Sequence, residues 1–320
     1  MADAVSWSLH NLPRQDGRRA VVTGANSGIG LEATRGLAAL GARVVMACRS
    51  LDKAEAAAAD VRRSLPGARV EVGELDLADL DSVHAFADRW GDEPLDLLVN
   101  NAGVMAIPQR RETADGFEMQ FGTNVLGHFA LTGRLLPNLL AGAVPGGVAG
   151  SSSRVVWLSS IAHREGRLDF DDLQSLRGYD PWRAYQQSKL ADLVLSIEMQ
   201  RRLDAQGAHL VSVAAHPGIA STELTTDMME GNRLLAPLAT PLIGLVAMRP
   251  WRGALPTLVA AAGHDPQPGG YIGPDGFHEM RGDPAPAEIM PRALDPEAGR
   301  RLWRACESLT GVEMLSAASA

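Results

Sequence analysis

The chain has 320 residues, 46% of them hydrophobic and 21% charged, with a formal net charge of −8. That is enough for one large or two small domains, and no basic block offers to neutralise phosphates, so nucleic acid is excluded as the main partner. Cys48 and Cys306 are too few for a disulfide framework and belong to no Cys/His cluster, so no metal is implied and a reducing cytoplasm is the expected setting.

Residues 1–17 lack a basic region followed by an apolar run, and they read as an N-terminal extension rather than a signal peptide. "RRAVVTG" then predicts a first strand and 28–40 a first helix. "ARVVMA" predicts a second strand, followed by the alanine-rich helix "SLDKAEAAAADVRRSL". "ARVEVGEL" and "LADLDSVHAFADRW" predict a third strand and its helix, and "LDLLVN" a fourth strand. Helical patterns cover about 117–140 and 182–203, on either side of a fifth strand, "RVVWLSS". A sixth strand is "HLVSVAA". Residues 139–153, "LLAGAVPGGVAGSSS", read as a loose loop. After Pro217 the rhythm breaks. About 218–268 reads as a substrate-covering insertion, a last strand falls near 270–272, and 273–320 forms a C-terminal extension of the same domain. Apolar strands alternating with helices specify an α/β fold, a doubly wound parallel sheet with helices on both faces. The stretch "LLAPLATPLIGLVAM", 234–248, is too short and too broken by proline and glycine to span a membrane, and predicts a buried or substrate-covering helix pair.

"TGANSGIG" follows the first strand and opens a helix, which is the setting a phosphate-binding turn requires. Gly24 permits the tight turn, Gly28 lets backbone approach a pyrophosphate, and Gly30 lets helix and strand pack closely. Asn26, Ser27 and Ile29 fill the turn, and the helix N-terminus supplies N–H groups and dipole. At the end of the second strand, where an acid would accept hydrogen bonds from adenosine ribose hydroxyls, stand Cys48 and then Arg49. A guanidinium suits a 2′-phosphate, so NADP(H) is expected in preference to NAD(H).

The chain has three tyrosines and two lysines, yet Tyr185 and Lys189 lie one helical turn apart in "YQQSK". A nearby ammonium favours the phenolate and makes a tyrosine a usable proton donor and acceptor near neutrality. Arginine has replaced lysine almost everywhere else, and its survival at 189 suits a task that needs a compact ammonium on a flexible stem. Ser159 and Ser160 end the fifth strand, at the edge where open α/β sheets bind ligands.

Together, "TGANSGIG", "NNAG" at 100–103 and "YQQSK" resemble the short-chain dehydrogenase/reductase family over roughly residues 15–225. The resemblance implies a Rossmann-type domain and hydride exchange between a nicotinamide and a carbonyl carbon. Tyr185 would be the general acid/base and Lys189 the group that fixes the ribose. Ser160, with Ser159 as second choice, would hold the substrate oxygen, and Asn124 in "FGTNVLGHF" would kink its helix and support a proton relay. For the cofactor it implies Asp76 and backbone at Leu77 beside the adenine, and Asn101, Ala102 and Gly103 along the strand edge. Pro217, Gly218, Ile219 and Thr222 would bracket the nicotinamide. "VVWLSSIAHREG", "DFDDLQSLRGYDPWRAY" and "GGYIGPDGFHEMRG" resemble the retinol-dehydrogenase-like branch of the family, which includes oxidoreductases attached to WW domains. His163 reads as either a pocket-lining or a surface histidine. The expected substrate is a hydrophobic ketone, aldehyde or alcohol, and family habit implies a homodimer or homotetramer. Two other activities fit the same motifs: a reductase of carbon–carbon double bonds, and a non-catalytic NADP(H) sensor, which would have no need of the proton donor.

Overall fold

The computed structural model describes residues 8–143, 152–219, 248–264 and 267–315. Strand β1 (Arg19–Thr23) is buried from Ala20 onward, so it requires a strand on each edge and helices on both faces. The chain enters α1 (Gly28–Ala39), returns through β2 (Arg43–Cys48), and repeats the step with α2 (Leu51–Ser64), β3 (Arg69–Glu74), α3 (Leu80–Trp90) and β4 (Leu97–Asn100). Helix α3 starts later than its pattern suggests because the Asp79 side chain accepts from the amides of Asp81 and Ser82 and fixes the start there.

Next come α4 (Met119–Phe121), a π-turn at Gly122–Leu126, α5 (Gly127–Gly142), β5 (Arg154–Leu158), α6 (Pro181–Ala205) and β6 (Val211–Ala215). The described chain closes with α7 (Pro250–Gly253), α8 (Leu255–Ala262), β7 (Tyr271–Pro274), β8 (Pro284–Pro286) and α9 (Pro296–Thr310). The sheet order is β3-β2-β1-β4-β5-β6-β7-β8, with only the β7–β8 pair antiparallel. The winding reverses between β1 and β4, and a crevice forms at such a switch, outside the strand carboxyl ends.

One face of the sheet packs against α3, α5, α6 and α9 around Phe129, Trp157 and Trp303. The other packs against α1, α2 and α8 around Leu37, Met46 and Leu258. Helix α8 therefore belongs to the core, so the described end of the stretch read as a substrate cover is not a cover. Its small apolar residues let it lie flat against α1, where Leu258 fills the space above Gly36. Residues 220–247, including Thr222 and most of the apolar 234–248 stretch, lie outside the described residues. Among the described residues, no helix is long and apolar enough to cross a membrane.

Strand β8 and helix α9 had no counterpart in the sequence reading. Prolines bound β8, which is tolerable only because it is an edge strand. Helix α9 carried a legible signal: Asp295 caps it, Pro296 opens it, and Leu302, Trp303, Cys306 and Thr310 share its buried stripe. Trp303 meets Phe129 edge-on, with ring centroids 5.1 Å apart. Arg154 was read as part of an apolar strand, yet its buried guanidinium donates to the carbonyls of Ala260 (3.1 Å) and Gly263 (2.7 Å), capping the end of α8.

Candidate active site

A cavity of about 800 Å³ opens at the carboxyl ends of the parallel strands. The turn residues Gly24, Asn26, Ser27, Gly28, Ile29 and Gly30 line one end. Arg49, Asp76 and Leu77 line the same end, and Asn101, Ala102 and Gly103 run along the side. Ser160, Tyr185, Lys189, Pro217, Gly218 and Ile219 line the other end. Asn124 does not face the cavity, and Thr222 lies outside the described residues.

The glycine turn is a cradle that side chains would fill. Gly24 has φ +62°, and a Cβ on it would sit 2.9 Å from Cα of Ala102. A Cβ on Gly30 would sit 2.5 Å from the Gly24 carbonyl oxygen. At Ser27, the residue before α1, no side-chain bond caps the helix, so the orphan N–H groups of its first turn stay available to an anion. This donor set fits a dinucleotide pyrophosphate. Gly30→Ala should lower stability by about 1–3 kcal/mol through overpacking against backbone. It should also weaken nicotinamide-cofactor binding at least tenfold, readable by thermal melting and fluorescence titration. Unchanged cofactor affinity would remove the turn from the binding site.

Thr23 ties the turn to the rest of the site. Its Oγ1 accepts from the amides of Asn101 and Ala102, both at 2.9 Å, and the Asn101 amide group donates to the Thr23 carbonyl at 2.7 Å. The Thr23 hydroxyl then donates to Nε2 of His128 at 2.9 Å. His128 Nδ1 donates to the Asn124 carbonyl at 2.8 Å, and burial pushes this ring down to about 3, so it is neutral. The Asn124 carbonyl thus accepts from His128 and keeps a second lone pair. The Asn124 side chain accepts from the Val104 amide (2.8 Å) and donates to the Val104 carbonyl (3.0 Å) and to Ser188 Oγ (2.9 Å). It clamps the chain beyond "NNAG" to α6.

Helix α6 is fixed at its start by Asp180, which accepts from the amides of Trp182 (3.0 Å) and Arg183 (2.8 Å), and by Pro181 in its first turn. This aims Tyr185 and Lys189 into the cavity. The Lys189 Nζ lies 5.9 Å from the Tyr185 ring centroid and donates to the Leu158 carbonyl (2.9 Å) and to Asp192 (2.9 Å). Burial works against the ammonium, but Asp192 and then Tyr185 outweigh it and hold Lys189 above the ordinary lysine range. Ser159 is buried and donates to the Lys189 carbonyl at 2.7 Å, which leaves Ser160 as the freer hydroxyl. Ser160 Oγ accepts from the Ala162 amide at 3.2 Å, a bond that leaves its proton free to be donated.

His163 is neither on the surface nor in the cavity. It is fully buried behind Ser160, its Nδ1 donates to the Ser160 carbonyl at 2.7 Å, and burial pushes it down to about 4. Beside it, His216 Nε2 donates to Glu279 at 3.0 Å, because its Nδ1 accepts from Gly218. That bond steadies His278 and Glu279, two successive non-glycine residues with positive φ (+48° and +57°). Their loop also supplies the Met280 carbonyl to the Ile219 amide at 2.8 Å.

Burial holds His128, His163 and His216 below the ordinary histidine value of about 6.5, so the unfolded chain binds more protons as pH falls below it. Their stabilisation is complete above about pH 6.5 and is lost on acidification towards 4. Asp192, raised by burial to about 6, and Glu118, which burial also raises, work in the opposite direction over that range. With three groups against two, the urea midpoint should fall between pH 7 and 5, and His163→Gln should flatten the decline. A midpoint that rises on acidification contradicts this.

The sequence reading missed the lining residues Met105, Ile161, Trp182 and Met280, which are apolar, and Thr123, Arg164, Glu165 and His278, which are polar. For Trp182 the signal existed: it stands three residues before Tyr185, on the same helix face, and the two rings meet edge-on at 6.1 Å.

The profile of a known family, described as short chain dehydrogenase, matches residues 18–233. The chain is 41% identical over 303 residues to retinol dehydrogenase 13 of Homo sapiens, covering 93% of this chain and 86% of that protein. It is 42% identical over 302 residues to polyprenol dehydrogenase of Mus musculus, covering 94% and 86%. Among solved structures, an uncharacterized protein from Mycobacterium Paratuberculosis superposes with a TM-score of 0.77 and 41% identity, covering 96% of this chain and 98% of that one. The Pseudomonas aeruginosa RhlG/NADP active-site complex superposes with a TM-score of 0.65 and 26% identity, covering 84% and 99%.

Proposed function

The chain belongs to the short chain dehydrogenase family, and from that premise we propose that it is an NADP(H)-dependent oxidoreductase interconverting a hydrophobic carbonyl compound and its alcohol. The observation that carries this reading is one cavity with a phosphate cradle at one end and Ser160, Tyr185 and Lys189 at the other. A nicotinamide cofactor held by the Gly24–Gly30 cradle would supply the hydride chemistry at the substrate carbon. The chain's own residues handle the oxygen. Ser160 donates a hydrogen bond to it and orients it, Tyr185 supplies the proton in reduction and takes it back in oxidation, and the Lys189 ammonium favours the phenolate form. Asn124 and Thr23 act indirectly, by holding the strand edge and α6 in place.

The preference for NADP(H) rests on Arg49, whose side chain is 75% exposed at the cavity and held only by a long 4.0 Å ion pair to Asp76 that a phosphate can replace, and on Cys48 standing where an acid would reject one. The structural neighbour solved with NADP supports the same choice. Arg49→Leu should raise the KM for NADPH about 10- to 100-fold, the loss of charge-assisted hydrogen bonds, and leave that for NADH nearly unchanged. Equal effects on both cofactors would remove Arg49 from this role.

The substrate class rests on the apolar lining residues Met105, Ile161, Trp182 and Met280, which share the cavity with Arg164, Glu165 and His278. Retinol dehydrogenase and polyprenol dehydrogenase are named for lipophilic alcohols, which supports the same class here. A reducing cytoplasm is part of the proposal, supported by two free thiols, both buried. The test is a panel of hydrophobic alcohols, ketones, aldehydes and activated alkenes, followed by nicotinamide absorbance with NADPH and NADH in parallel. Turnover confined to the alkenes would replace carbonyl reduction by reduction of carbon–carbon bonds. Cofactor binding without turnover of any compound would favour a sensor.

A further inference from the structure

One buried charge beside the site has no part in the chemistry above. Asp192 is 2% exposed, and its Oδ2 accepts a hydrogen bond from the Lys189 Nζ at 2.9 Å. Tyr185, Lys189 and Asp192 follow at i, i+4 and i+7, one stripe of α6 leading from the cavity into the core. An ammonium has three N–H groups. One points to Asp192 and one to the Leu158 carbonyl, both at 2.9 Å, so the third is directed towards the cavity side. There a Cβ on Gly103 would come within 3.7 Å of Nζ. Two fixed bonds thus set the direction of the third.

The other Asp192 oxygen, Oδ1, is buried without a hydrogen-bond partner among the described residues. A carboxylate retained only for stability is expected to have both oxygens satisfied. The other titratable groups facing the pair are His128 from α5, Cys306 from α9 and Tyr185 itself. Burial keeps His128 neutral, and it pushes the Cys306 thiol up so that it too carries no charge. Asp192 is then the carboxylate that acts on the ammonium. Without it, a lysine this deeply buried would favour the neutral amine.

We propose that Asp192 is a positioning residue, holding the Lys189 side chain beneath the Tyr185 phenol as an ammonium ion. The proposal rests on the reading of Tyr185 as proton donor, and it deepens that reading. Without Asp192, Lys189 gives up its proton at a lower pH and no longer favours the phenolate on the alkaline side. Because Asp192 stands behind the lysine and does not face the cavity, cofactor contacts are left intact.

The test uses the full chain labelled with 15N and 13C lysine. With only two lysines, the spectrum holds two side-chain signals, and Lys53 on α2 serves as the internal reference. In Asp192→Asn the Lys189 titration midpoint should fall by roughly 1 pH unit or more. Asp192→Glu should restore most of the shift. A Lys189 midpoint unchanged in Asp192→Asn, with a parental circular-dichroism spectrum, overturns the proposal. Should Asp192→Asn fail to fold, the parental protein still decides. Its Lys189 ammonium signal should exchange with water far more slowly than that of exposed Lys53, because two buried hydrogen bonds hold it. A Lys189 ammonium signal that exchanges as fast as that of Lys53 overturns the proposal equally. None of these readings needs a substrate, so their failure is separable from failure of the proposed activity.

Discussion

Tyr185→Phe is expected to lower kcat by about a thousandfold, the middle of the range for a positioned general acid. The hydroxyl makes no hydrogen bond within the described protein, while the ring keeps its edge contact with Trp182. The variant should therefore fold as the parent does, with stability changed by no more than about 0.5 kcal/mol. Nicotinamide-cofactor affinity should change less than about fivefold, because the cradle at Gly24–Gly30 is untouched. Loss of turnover with fold and cofactor binding retained is the signature of a missing proton donor. Turnover retained within tenfold would reassign the proton to another group, and Ser160 would be the first to examine. Stopped-flow absorbance on any compound the panel identifies, with differential scanning calorimetry alongside, makes the measurement.

Lys189→Met is expected to damage both activity and stability. It removes the ammonium that favours the phenolate, so kcat should fall about a hundredfold or more. It also strands Asp192 in the core. Breaking a buried ion pair from one side costs about 3–5 kcal/mol, reduced here to the extent that the carboxyl takes up a proton. The sign of the pH dependence follows from that. Burial already raises Asp192 to about 6 with the lysine present, and removing the lysine raises it further. A raised carboxyl contributes stability at low pH and loses it as pH rises through the folded-state value. The gap in urea midpoint between parent and variant should therefore widen from pH 5 to pH 8. The double substitution Lys189→Met with Asp192→Asn should close most of it. A gap that narrows at high pH would mean that the two side chains are not coupled as drawn. Lys189→Arg should recover charge but little activity, because the guanidinium fork is larger and does not reproduce the two bonds to Leu158 and Asp192.

Much of this architecture could be read from residues whose neighbours in sequence are also their partners in physics. The strand–glycine turn–helix of "VVTGANSGIG" and the turn-spaced Tyr185 and Lys189 are local patterns, and they line one cavity in the fold. Non-local partnerships were out of reach. The join between Asn124 and Ser188 spans 64 residues, and the one from Arg154 to Gly263 spans 109. His163 was offered two fates and had a third, because burial behind a strand end is set by β7 and the loop after it. Asp192 looked like one more polar position on a helix. Only the packing of α9 over α6 makes it a buried charge, and α9 itself passed unnoticed despite its cap and stripe.

The π-turn at Gly122–Leu126 carries a lesson about how this chain can change length. A π-turn holds one residue more than the helix around it needs. That surplus lets α4 and α5 serve different neighbours. On the α4 side, Gln120 accepts from the Ala106 amide at 2.7 Å and donates to Tyr179 and to the Pro181 carbonyl, both at 3.0 Å. On the α5 side, His128 reaches Thr23. Deleting one residue here would heal the helix, yet it would swing everything before the cut by about 100° about the axis. Gln120 would then leave both Ala106 and the start of α6 without their tether. The segment should therefore accept substitutions far more readily than a single-residue gap.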